Sequence, residues 1–122
     1  MKPFSVVEPY KAKNGAECYI SLLVSYYNNC SSFLVSQYDA RLHFCGYVIV
    51  KDKELFEKLH KDYNETSCAT LSVHGGITYC ESFYDKGNAV GFDCAHGGDS
   101  LDKCDKDYVK LQLDLLAEQL YK

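Results

Sequence analysis

Two His-Gly-Gly tripeptides, at 74–76 and 96–98, stand in a chain of 122 residues that holds only four histidines. Glycines directly after an imidazole permit positive φ and close backbone approach, so a sharp turn can present the ring instead of burying it. Asp93, His96 and Asp99 follow one another at intervals of three. In a compact loop that spacing converges carboxylate and imidazole on one point, and His74, at the end of a neighbouring strand, completes a set of four. Mixed His and Asp ligation suits zinc at about 2.0 to 2.2 Å, and manganese or iron nearly as well. Cys45, Cys80 and Cys94 are reserve sulfur ligands, although Cys94 adjoins Asp93 and on an extended chain points the other way. No Cys-x-x-Cys pair occurs, so the pattern is not that of a zinc finger. The alternative for the same residues is structural: Asp93 and Asp99 as turn and cap residues, His74 as a hydrogen-bonded strand end.

Other chemistry has weaker support. A nucleophile could be drawn from Cys80 or Cys94 with His74 and Asp93, but with seven cysteines and four histidines many such triples exist and no local signature favours one. Ser72 and Ser100 lack a nucleophile elbow, and no Gly-rich phosphate loop precedes a helix. His43 and His60 read as surface residues, the latter favourably placed against a helix dipole.

The elements that must position these residues follow from periodicity. Residues 3–17 read as an irregular lead-in with a turn at Asn14-Gly15. From Cys18 to Tyr27 a period of two gives one strongly apolar parity and predicts a strand, with a helix as the rival. A short strand from Phe33 to Gln37 comes next, then a clear one from Leu42 to Val50. Asp52 caps a helix through about Tyr63, with Leu55, Phe56, Leu59 and Tyr63 on its apolar stripe and Glu54/Lys58 and Glu57/Lys61 four apart on the other. Three short strands are expected at Cys68–Val73, Ile77–Tyr84 and Ala89–Asp93. A terminal helix runs from Asp102 or Asp105 to Tyr121. Its stripe of Val109, Leu113, Leu116 and Leu120 has a second stripe of Tyr108, Leu111 and Leu115 beside it, which implies either deep burial against a sheet or a face shared with a partner or a second protomer. The order predicts an α+β fold: one domain spanning 1–122, an antiparallel sheet of about five to six strands, and two helices on one side.

Composition sets limits on function. The chain is 47% apolar and 25% charged, so it can bury about 65% of its unfolded surface without covalent staples. Its longest apolar run is far short of the ~20 residues that cross a bilayer, and MKPFSVVEPY has no secretory h-region. The expectation is a cytoplasmic protein whose seven cysteines are thiols. Residues 1–50 carry four basic and three acidic side chains and residues 51–122 nine and fourteen, a balance of +1 and −5. With Arg41 as the single arginine, clustered positive charge for a nucleic-acid backbone is missing, and a basic protein is the better electrostatic match.

Asn14-Gly15 with Cys18, CGYV at 45–48, HGGITY at 74–79, GFDCAHGGD at 91–99 and a closing helix together resemble a family of small phage and prophage proteins. The likeness covers most of the chain in the same order. Members often carry a Pro-rich segment after CGYV and aromatic residues before GFD; here a Lys-rich helix at 52–63 and Gly87-Asn88-Ala89-Val90 stand instead. The family implies no activity. Small size, acidity and phage resemblance together raise the expectation of an inhibitor of bacterial defence, an anti-CRISPR protein directed at Cas9 of a type II system. In that reading a zinc ion pins the 74–76 turn to the 93–99 loop, and an acidic face meets a basic host protein. The rival is a small metal-dependent hydrolase using the same His and Asp ligands with one open position.

Overall fold

The computed structural model describes residues 5–28, 38–94 and 104–121. Five strands form one antiparallel sheet: β1 (Ser5–Lys11), β2 (Glu17–Asn28), β3 (Tyr38–Ile49), β4 (Tyr79–Phe83) and β5 (Gly87–Asp93), in the spatial order β1-β2-β3-β5-β4. Among the described residues two helices join the sheet in an α+β arrangement, α1 (Lys53–Thr66) between β3 and β4 and α2 (Lys106–Leu120) after β5.

Strand parity explains which side is filled. Cys18, Ile20, Val48, Val50, Cys80, Val90 and Phe92 lie on one face, and the apolar stripes of both helices pack there: Leu55, Phe56, Leu59 and Tyr63 from α1, Val109, Leu113, Leu116 and Leu120 from α2. The helices therefore share one side of the sheet, as the patterning predicts. The second α2 stripe is not buried with the first: Leu111 and Leu115 are 50% and 44% exposed. Gly46 lets α2 approach β3, because a β-carbon there would stand 2.8 Å from the Phe92 ring and 3.0 Å from Leu113 Cδ2.

Both helix starts follow their sequence signals. Asp52 accepts from the Leu55 amide and Asp105 from the Tyr108 amide, each satisfying a donor of the first turn.

Two expectations are corrected. The lead-in is not irregular up to residue 17, because residues 5–11 form edge strand β1, paired from Ser5↔Leu23 to Lys11↔Glu17 before the expected turn at Gly15. Cys68–Val73 is not a strand. Ser67 and Cys68 both adopt positive φ, at 54° and 53°, where α1 ends, and the Leu71 amide closes a turn on the Cys68 carbonyl. The strand expected at Phe33–Gln37 lies outside the described residues. No helix among the described residues is long and apolar enough to cross a membrane.

Candidate metal centre

His74 comes to its place through the turn its glycines allow. Gly75 and Gly76 have φ of 69° and 81°, and the Gly76 amide donates to the Val73 carbonyl at 2.9 Å. The strand-like segment before the turn is held by α2 side chains. Gln119 accepts from the Ser72 amide and donates to the Ser72 carbonyl, both at 2.7 Å, and Gln112 accepts from the His74 amide at 2.9 Å. Gln112 and Gln119 are seven apart, two helical turns along one face, so α2 offers this segment the hydrogen bonds a neighbouring strand would.

The same helix brings a thiol. Cys104, just before the Asp105 cap, places Sγ 3.6 Å from His74 Nε2. Tyr108, in the first turn of α2, holds the other ring nitrogen, with Oη 2.9 Å from Nδ1. Cys94 follows β5 directly, and its amide still donates to Phe44 of β3 at 2.9 Å. Ligand atoms of His74, Cys94 and Cys104 all lie within 4.8 Å of one another. Both cysteines are 3% exposed and His74 is half-buried.

One imidazole and two thiols are a soft donor set, suited to zinc and poorly suited to magnesium or calcium. Tetrahedral zinc with Zn–S of about 2.3 Å and Zn–N of about 2.05 Å separates its sulfur and nitrogen ligands by about 3.6 Å. The His74–Cys104 separation has that value before any ion is considered. A cysteine nucleophile paired with histidine would use the same two atoms; here the Cys104 thiol is 3% exposed and has a second thiol beside it.

The four residues expected to bind metal are thus divided. His74 is in the cluster. Asp93 is not: it lies opposite Cys45 in the β3/β5 register, on the other face of the sheet, where its charge acts on His43. His96 and Asp99 lie outside the described residues. Cys94, held in reserve in the sequence reading, enters because alternation sends it to the face opposite Asp93. Cys104 was missed. The available signal was its position directly before a helix cap, at the far end of the segment that Cys94 opens. Of the other reserve thiols, Cys45 sits with Asp93 and Cys80 is in the core near Cys68, its thiol pushed up to about 11 mainly by burial. The six described cysteines are all buried. His60 is exposed as expected, whereas His43 is half-buried, and burial holds its imidazole below the usual value against the opposing pull of Asp93.

The chain matches no protein-family model, no curated protein and no solved structure.

Proposed function

We propose that this protein is a small, non-enzymatic binding protein whose fold is stabilised by a zinc ion on His74, Cys94 and Cys104. The observation that carries this is the convergence of three soft ligand atoms from a turn, a strand end and a helix start. Those three ligands are 20 and 10 residues apart in sequence, so an ion there ties separate segments together, and its binding free energy becomes folding free energy. His96 and Asp99, which stand in the sequence between the two cysteines, are the candidates for the fourth ligand of a closed structural site. The −5 balance of residues 51–122 supports a basic protein partner. The resemblance to small phage proteins supports a host defence protein in that role, with Cas9 as the candidate.

Elemental analysis of protein purified without chelator tests the centre, with about one zinc per chain expected. His74→Ala and Cys104→Ser should each lower metal content and melting temperature together, because an ion that binds only the folded state stabilises it by mass action. Metal far below one per chain rejects the centre. Metal-dependent turnover of a phosphoester or peptide would replace the binding reading with the hydrolase.

A further inference from the structure

Both helices pack on one face of the sheet, and among the described residues the opposite face carries no helix. That face is aromatic. Phe83 stands at its centre, with ring centroids 4.2 Å from Tyr47, 5.7 Å from Tyr19, 6.2 Å from Tyr79 and 4.7 Å from Tyr84. Tyr47 and Phe83 are buried by the neighbouring rings, Tyr19 and Tyr79 are half-buried, and Tyr84 is 70% exposed.

Tyr84 is also held in an unfavourable backbone conformation. Its φ is 48°, in the left-handed region where bulky side chains are rarely found, and beyond the edge contact with Phe83 the ring is mostly exposed. A turn selected only to close the β4/β5 hairpin would place glycine or asparagine there. The strained and solvent-facing ring is a feature that folding alone does not require.

The rim of the face carries three carboxylates, two of them paired with lysines. Glu17 accepts from the Tyr19 hydroxyl at 2.7 Å, Glu81 is exposed on the same parity of β4 as Tyr79 and Phe83, and Asp85 is exposed at the hairpin tip. These carboxylates raise the pKa of the phenols they face, Glu17 that of Tyr19 and, after burial, Glu81 that of Tyr79. A cation already lies over a ring of this face: Lys86 Nζ is 5.5 Å from the Tyr19 ring centroid, within the range of a cation–π contact. Lys86 pairs with Asp85 at 3.6 Å and Lys51 with Glu17 at 3.4 Å, both on solvent-exposed side chains that a stronger cation can displace.

We infer that the helix-free sheet face centred on Phe83, with Tyr84 as its exposed anchor and Glu17, Glu81 and Asp85 on its rim, docks an arginine-rich segment of a partner protein. Planar guanidinium groups stack on tyrosine faces and fork onto carboxylates, so this combination of rings and acids favours arginine over lysine. The inference rests on the basic-partner half of the proposed function and names its surface; it does not involve the zinc centre.

The test is calorimetric titration of the full chain with nona-arginine, nona-lysine and nona-glutamate peptides at low and physiological salt, beside sedimentation velocity. Nona-arginine should bind more tightly than nona-lysine, and nona-glutamate should not bind. Tyr84→Asn, which suits the left-handed conformation, and the pair Glu81→Lys with Asp85→Lys should each weaken nona-arginine at least tenfold while melting temperature and metal content stay unchanged. Binding that neither change affects overturns the docking face and leaves the basic-partner reading standing. Absence of binding overturns both. Self-association abolished by Tyr84→Asn makes a second copy of the chain the occupant and overturns the inference.

Discussion

Tyr108 holds the ring of His74 at the nitrogen that faces away from Cys104. A metal on Nε2 would need the lone pair there, and Nδ1 would then carry the hydrogen and donate to the phenol oxygen 2.9 Å away. Partners of this kind fix both tautomer and ring plane, and removing them from metal-binding histidines costs roughly 10- to 100-fold in affinity. Tyr108→Phe removes one oxygen and leaves the edge-on ring contact, whose centroid separation is 5.3 Å. Zinc affinity should fall about 10-fold or more while the far-ultraviolet circular dichroism is retained, as measured by competition with a chromophoric chelator. Unchanged affinity would exclude an orienting role for the phenol.

Helix α2 is the element on which the candidate centre depends. It supplies Tyr108 and both glutamines that hold residues 72–74, and Cys104 immediately precedes its cap. Polar links to the start of the chain fix its position: Lys106 pairs with Glu8 at 2.7 Å, and Asp114 accepts from the Tyr10 hydroxyl at 2.9 Å and the Lys13 amide at 3.0 Å. Its apolar seat is the gap over Gly46. Gly46→Ala forces a methyl group into the Phe92 ring and toward Leu113. The expected cost is about 1 to 3 kcal/mol, typical of overpacking a filled core. Denaturant titration should show it as a lower midpoint, and the same variant should bind zinc more weakly because displacement of α2 carries Cys104 away from His74. An unaltered midpoint would mean the core yields freely at this point.

At the scale of the whole molecule, burial acts on described thiols and phenols. Burial is the main cause that pushes Cys18 and Tyr10 up to about 12 and Cys45 and Cys80 up to about 11, from ordinary values of 9.0 and 10.0. The sign of the effect on stability is fixed by linkage. Groups whose folded pKa is raised keep protons that the unfolded chain has already lost, so their contribution is whole below about pH 9 and disappears as pH rises through 11 to 12. Stability should therefore be level between pH 7 and 8.5 and decline steeply above pH 9. Denaturation midpoints measured across that range are the check, and a midpoint that holds to pH 11 would show that these groups are hydrated in the fold.

How much of this was legible in the residues depended on whether the cause was local. Alternation in β2 and β3, the stripes of α1 and α2, the caps Asp52 and Asp105 and the His-Gly-Gly turn are set by neighbours a few positions away, and each could be read directly. Edge strand β1 could not, since Glu8, Pro9 and Lys11 have weak strand character and the segment is extended because β2 pairs with it. Cys68–Val73 has the composition of a strand, but Ser67 and Cys68 turn the chain and Gln119 takes the backbone groups of Ser72. For the candidate centre, the sequence by itself determined His74 and a turn that presents it. Only tertiary structure chose the sulfurs. Cross-strand register put Asp93 beside Cys45 and thereby sent Cys94 to the helix side, and docking of α2 brought Cys104 to His74 from 30 residues away. No local pattern records such a meeting, because the free energy that enforces it is the burial of Val109, Leu113 and Leu116 against the sheet.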